Sequence, residues 1–185
     1  MTQRIAIVGP VVAGKSKLAA ALAAHTHLPH HDLDALYWGP SWTPLPEDRF
    51  LAGVRDTLTA DRWIVDGNYG GTVADLLLVR ADLIIWLDLP LRTCLPRLVR
   101  RSIQRAVTGQ ELFAGNRETL AHLLARDSIL RWGPAHHHRH RRNWAARLSA
   151  ADALVVRVTR PARLTEQMKA LGLLPTPEKA SACLT

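Results

Sequence analysis

Cysteine, lysine and long apolar stretches are all scarce in this chain. Its 185 residues include two cysteines, Cys94 and Cys183, too few for a disulfide framework and consistent with a reducing cytoplasm. No run of about 18 apolar residues occurs, so neither a transmembrane helix nor a membrane partner is expected. The opening residues MTQRIAIVGP have no apolar stretch leading to a small-residue cleavage site, so no secretory leader is expected. Helix-turn-helix, zinc-finger and RNA-binding signatures are missing. Internal repeats are missing too, and the only biased tract is a short His/Arg run near residue 136. What remains is 48% apolar and 22% charged, the composition of a globular chain with one proper core.

The charge is local. The net charge is +8. The stretch from Arg97 to Arg147 alone holds 11 arginines, no lysine and three acids, Glu111, Glu118 and Asp127. The rest of the chain is balanced, so the basicity belongs to one third of it. A genome that favours arginine explains why lysine is rare, with four in all against 20 arginines. It does not explain the clustering, which points to a polyanionic partner such as nucleotide phosphates or nucleic acid.

Short apolar runs alternate with helical patterns. Arg4–Gly9 reads as a buried strand and Ser16–His25 as a helix. Leu28–Asp32 reads as a second strand, followed by a loop over 34–46 carrying Tyr37, Trp38 and Trp42. Glu47–Ala60 has Phe50, Leu51, Val54 and Leu58 at helical spacing behind Pro46. Trp63–Asp66 is a third strand, Thr72–Arg80 a helix, and Leu83–Asp88 a fourth strand stopped by Pro90. A basic helix is expected over 91–107, bent at Pro96. After a break at 109–116, helices are expected over 117–132 and 135–148, parted by Gly133-Pro134. Ala153–Val158 is the last strand and Pro161–Leu171 the last helix. The alternation predicts an α/β fold with a mostly parallel sheet. Residues 1–172 read as one domain, with a strandless insertion over about 106–150 as a lid and 173–185 as a loose tail.

One motif carries chemistry. Gly9-Pro10-Val11-Val12-Ala13-Gly14-Lys15-Ser16 matches the phosphate-binding (Walker A) pattern G-x-x-x-x-G-K-[ST], with a strand directly before it and a helix directly after. Backbone N–H groups at the helix start would cradle phosphates. Lys15 would neutralise the β- and γ-phosphates of ATP, and the Ser16 hydroxyl would bind Mg²⁺. Lys17 completes the nucleotide-contacting stretch. Val12 stands where many such loops have a third glycine, so a positive φ there would strain a β-branched residue.

Carboxylates at strand ends are the natural partners, because ligands of open α/β sheets bind there. Asp66 and Asp88 are alternative Mg²⁺-organising groups, and Asp66 is favoured because Gly67 lets backbone approach a ligand. Asp34, with Asp32 at the end of the second strand, suits an acceptor hydroxyl or its deprotonation, and equally suits a cap. Tyr37, Trp38 and Trp42 suit either stacking on an acceptor or core packing. The histidines at 136, 137, 138 and 140 lack metal-site spacing and read as a solvated helix.

With RIAIVG…GKS, HHDLDALYWGPSWTP, RWIVDGNYGGT and ADLIIWLDLP followed by an arginine helix, residues 3 to 160 resemble the adenylate-kinase-like P-loop NTPases. Within them the likeness is to the family labelled DNA topology modulation protein. The resemblance implies a five-stranded parallel sheet in order 2-3-1-4-5, an ATP site and a mobile arginine-bearing lid. It places Lys15 and Ser16 on phosphate and Mg²⁺, Asp66 in the Asp-Gly motif of adenylate kinases, and Arg97 and Arg101 at lid arginine positions. It also shows departures. Gly70 stands where adenylate kinases grip a monophosphate acceptor with arginine, and His31-Asp32-Leu33-Asp34 replaces their Thr-Gly-Asp segment. That pattern is closer to small-metabolite kinases such as shikimate kinase.

The expectation is a cytoplasmic kinase, monomeric or homodimeric. It would move the γ-phosphoryl group of Mg²⁺·ATP to a small-molecule or nucleotide acceptor, with Lys15, Asp34, Asp66, Arg97 and Arg101 as the catalytic set. The alternatives are a nucleotide-gated nucleic-acid binder gripping phosphates through the 97–147 arginines, and an NTPase that binds nucleotide without chemistry because of Val12.

Overall fold

Side chains alternate across each strand, and in the central strands of this sheet both faces are buried, so these strands must be covered twice. The computed structural model describes residues 3–175 and shows how this is done. Five strands, β1 (Arg4–Val8), β2 (His30–Asp32), β3 (Trp63–Gly67), β4 (Leu83–Leu87) and β5 (Leu154–Val158), form one parallel sheet in the order β2-β3-β1-β4-β5. Ile5, Ile7, Leu83, Ile85 and Leu87 point to one side. There α1 (Lys15–Thr26), with Leu18, Ala19 and Leu22, and α8 (Pro161–Ala170), with Met168, close the core. Ala6, Val8, Ile84 and Trp86 point to the other side. There they meet Phe50, Val54 and Leu58 of α3 (Glu47–Thr59) and Val73, Ala74 and Leu77 of α4 (Gly71–Arg80). The α/β class and the strand order expected from the sequence are those observed.

The sheet begins pinned at its lower edge. Asp82 accepts from the backbone N–H groups of Gln3 and Arg4 and pairs with the Arg4 guanidinium at 2.6 Å. Its carboxyl is held below the usual range by that arginine. Strands and helices then deliver their ends to the opposite edge, where the carboxyl ends of β1, β2, β3 and β4 lie side by side.

Three expectations fail locally. The loop over 34–46 contains a short helix, α2 (Leu33–Tyr37), because Asp32 accepts from the Asp34 N–H at 2.8 Å and caps it. It also contains a 3₁₀ turn at Pro40–Trp42. The helix expected over 117–132 shrinks to α6 (Leu120–Leu124), since residues 117–119 run extended and Thr119 caps the helix. The expected break at Gly133-Pro134 is absent. After α5 (Leu91–Thr108), α7 runs unbroken over Ile129–Leu148. Gly133 lies so close to α5 that an added Cβ would sit 3.1 Å from Leu98, and this packing outweighs the one hydrogen bond that proline removes. The far end of α7 returns to the sheet, burying Trp144 and Leu148 against the face that α3 and α4 cover. Leu173 joins the core beside α8, and residues 176–185 of the expected tail lie outside the described residues. No helix among the described residues is long and apolar enough to cross a membrane.

Candidate active site

The loop between β1 and α1 is shaped by two glycines for two reasons. Gly9 has φ 148° and sits against β4, where an added Cβ would lie 2.6 Å from the Leu87 carbonyl oxygen. Gly14 has φ 99° with open space around it, so its need is conformational alone. Between them Ala13 N–H bonds the Pro10 carbonyl at 3.2 Å, and Val12 adopts φ 55°. The strain that a β-branched residue carries in the left-handed region is therefore present in this loop. Lys15 folds back over the loop, its Nζ donating to Pro10 O at 3.2 Å. Burial lowers its pKa, against the opposing pull of Asp34, Asp66 and Asp32.

Ser16 Oγ donates to Asp66 Oδ2 at 2.8 Å. Asp66, at the end of β3, is 1% exposed, and its other oxygen receives His30 Nε2 at 2.6 Å. That bond raises the His30 pKa. Because β2 pairs with β3 in register, Asp32 stands beside Asp66. Burial, with Asp66 and Asp34 adding to it, pushes the Asp32 carboxyl up to about 6. Asp34, in the first turn of α2, accepts from the Tyr69 hydroxyl at 2.8 Å. The phenol is held well above its ordinary value by burial and the Asp34 charge.

Asp88, the other strand-end carboxylate, has a different life. It is also 1% exposed, but it is bracketed by Arg141 of α7 and Arg157 of β5. Burial pushes its pKa up, and the two guanidiniums more than reverse that. Arg157 also lies over the Trp86 ring, 4.7 Å from its centre. Asp88 thus bolts α7 to the sheet, and the geometry separates the two candidates: Asp66 faces the loop serine and Asp88 faces arginines.

The basic segment is divided as well. On α5, Arg101 is half-buried with its Nε lacking any partner among the described residues. Burial lowers it to about 10, next to Arg105 and within reach of the Glu118 and Asp34 charges. Arg97, one turn earlier, is exposed and makes no ion pair among the described residues. Arg105, Arg117, Arg141 and Arg147 are paired with Glu118, Glu111, Asp88 and Asp75. The histidine run is not uniformly solvated as expected. His137 is buried where α7 meets α5 and the loop at Val11 and Val12, and the buried Nε2 of His140 has no partner among the described residues. His136 stacks on Trp132 at 4.6 Å. Of the aromatics near Asp34, Tyr37 packs edge-on against Phe50 and tilted against Tyr69, with centres 5.1 and 5.2 Å apart. Trp38 and Trp42 pack on each other. His30 and Tyr69 are not singled out by the sequence, and Arg141, which the sequence places only within the 97–147 arginine cluster, serves Asp88. His30 and Tyr69 lie inside the HHDLD and DGNYGG runs, one step from residues that are.

This arrangement of strand, glycine loop and helix on a 2-3-1-4-5 parallel sheet defines the P-loop kinase fold, and solved structures agree. The chain superposes on shikimate kinase from Acinetobacter baumannii in complex with shikimate with a TM-score of 0.60, 14% identity, and coverage of 94% of this chain and 93% of that one. For a gluconokinase from Sinorhizobium meliloti 1021 the TM-score is 0.55 at 17% identity, covering 93% and 91%. For a sugar kinase from Janibacter sp. HTCC2649, unliganded, it is 0.53 at 17% identity, covering 95% and 100%. At these identities the likeness is one of fold.

At the level of sequence, no family model matches the chain. A curated relative, the uncharacterized protein YqaC of Bacillus subtilis (strain 168), is 36% identical over 121 residues. That match spans 62% of this chain and 64% of YqaC, so less than two thirds of the relative's length is covered.

Proposed function

We propose that the protein is a P-loop kinase that transfers the γ-phosphoryl group of Mg²⁺·ATP to a hydroxylated small-molecule or nucleotide acceptor. The observation that carries this reading is the Ser16–Asp66 contact at 2.8 Å beneath Lys15. A hydroxyl and a carboxylate side by side are the hard oxygen donors that Mg²⁺ prefers. Lys15 is a half-buried ammonium whose single hydrogen-bond partner among the described residues is one backbone carbonyl, and such a charge calls for an anion. The residues present therefore fit both groups. A bound Mg²⁺ supplies charge neutralisation on the β- and γ-phosphates.

The chain's own groups have defined tasks. Backbone N–H groups of the loop and helix start, Gly14 to Ser16 among them, and the Lys15 side chain cradle the triphosphate, with Gly9, Pro10, Val11, Val12, Ala13 and Lys17 completing the walls. Asp66 orients the metal-side shell through Ser16. Asp34, held by Tyr69, receives the acceptor hydroxyl and its proton. Arg101, whose Nε has no partner among the described residues, stabilises charge on the group in transit, and Arg97 serves the nucleotide from the exposed turn before it. Residues 106–150 act as the lid within a single domain spanning 1–172. Gly70 in place of an arginine, and the Asp32–Asp34 pair, favour a hydroxylated metabolite as acceptor over a nucleoside monophosphate.

The test is ADP release from Mg²⁺·ATP across a panel of hydroxylated metabolites and nucleoside monophosphates. Lys15→Ala is expected to lower turnover by about a hundredfold or more. Full ATP affinity and turnover in that variant would refute the reading.

A further inference from the structure

Two loops far apart in the chain have the same backbone. Residues 38–44 and 111–117 are each closed by an isolated bridge between first and last residue, Trp38 with Pro44 and Glu111 with Arg117. In each, the second residue's N–H bonds to the sixth residue's carbonyl: Gly39 to Thr43 at 2.8 Å, and Leu112 to Asn116 at 2.7 Å. The sixth residue's N–H returns to the third carbonyl: Thr43 to Pro40 at 3.2 Å, and Asn116 to Phe113 at 3.1 Å. Each loop turns through a left-handed pair. In the first it is Ser41 and Trp42, both at φ 55°, and in the second Ala114 at φ 52° with Gly115 at φ 78°.

The twin loops meet, and one side chain joins them. Asn116 is 5% exposed. Its Oδ1 accepts from the Trp42 backbone N–H at 2.8 Å. Its Nδ2 donates to Gly39 O and to Phe113 O, both at 2.8 Å. The Trp42 indole adds a longer bond, 3.4 Å, to Arg117 O. A buried amide with all its hydrogens used is costly to lose, because its partners are then left unpaired. Trp42 makes the dependence mutual, since a bulky residue at positive φ persists only where its surroundings over-determine it.

The location gives the contact a role. The first loop follows α2, which carries Asp34. The second follows α5, which carries Arg101 and Arg105. Two residues beyond Asn116, Glu118 pairs with Arg105 at 3.1 Å and its charge reaches Arg101. We infer that Asn116 is a positioning residue: it latches the lid to the acceptor-side loop and thereby holds Arg101 opposite Asp34. The catalytic half of this inference rests on the kinase reading above; the latch itself does not.

The experiment is backbone hydrogen exchange on the full chain, wild type against Asn116→Ala, beside Mg²⁺·ATP binding and turnover. In wild type the Trp42 amide exchanges slowly. In Asn116→Ala, residues 38–44, some 74 positions from the substitution, exchange about ten- to a hundredfold faster together with 111–117, while β1 and β3 are unchanged. Asn116→Gln is too long by one methylene to reach both Trp42 N and Gly39 O. It is expected to give the same pattern and serves if the alanine variant does not fold. Exchange that accelerates in 111–117 alone overturns the latch. In the same variants the Mg²⁺·ATP dissociation constant stays within about twofold while turnover falls about tenfold, because the phosphate loop is untouched and Arg101 is not. Faster exchange in both loops with undiminished turnover, or with lost ATP affinity, overturns the positioning role. A wild-type protein that binds no ATP would instead defeat the kinase reading, and the exchange data would still decide the latch.

Discussion

Two buried carboxylates stand at the ends of β3 and β4, the strands that flank β1, and exchanging each for its amide should produce opposite defects. Asp88 receives four hydrogen bonds from two guanidiniums, and these tie α7 and β5 to the end of β4. Removing one partner of a buried ion pair costs about 3–5 kcal/mol when the other stays dry. Here Arg141 and Arg157 are 30% and 55% exposed, so both rehydrate in part, and Asp88→Asn should cost about 2–3 kcal/mol. For a domain of this size that corresponds to roughly 5–10 °C in Tm. Asp66→Asn keeps an acceptor for Ser16 and relieves repulsion with Asp32 but gives up the charge that pairs with His30, so its stability should fall by about 1–2 kcal/mol, less than for Asp88→Asn. Its defect should be chemical, with the gain in ATP affinity on adding Mg²⁺ reduced about tenfold or more. Thermal melts and nucleotide titrations with and without Mg²⁺ read both effects. If Asp88→Asn melted like wild type and lost its Mg²⁺ dependence, the assignment of the two carboxylates would be reversed.

Other consequences follow from the same geometry. In urea unfolding, Gly9→Ala should lose about 2–4 kcal/mol, since its Cβ would meet the Leu87 backbone, whereas Gly14→Ala, with open space, should lose about 1–2 kcal/mol for its φ alone. Equal losses would show that packing against β4 is not what Gly9 serves. His137 and His140 are held below the ordinary histidine value by burial, reinforced by Arg141 and Arg139 respectively. Their contribution to stability is therefore full above about pH 6.5 and is lost as pH falls through their folded values. His30, raised by Asp66, works in the opposite direction. The His137 effect is thus read as a difference: Tm should fall less between pH 7 and pH 5 in His137→Leu than in wild type, and parallel curves would refute it.

Local sequence by itself determined the strands, the helices beside them and the glycine loop between β1 and α1. These features depend on periodicity and on residue types whose backbone preferences act within a few positions: the unbroken apolar run within Arg4–Val8, helical spacing in Phe50, Val54 and Leu58, and glycine at 9 and 14. Even the strain at Val12 was legible, because a positive φ at that point of the loop is a local matter. Tertiary structure alone decided the rest. Asp66 and Asp88 look alike in sequence, each a carboxylate after an apolar run. What distinguishes them is a serine on α1 in one case and arginines from α7 and β5 in the other. Helix α7 runs through Gly133-Pro134 because α5 approaches closely enough to hold it. Asn116 carries no motif, and two of its three bonds exist only because two loops of like backbone, one after α2 and one after α5, are brought face to face. Hydrogen bonds between residues 74 and 77 positions apart leave no periodicity to read, so the latch was invisible until the chain had folded.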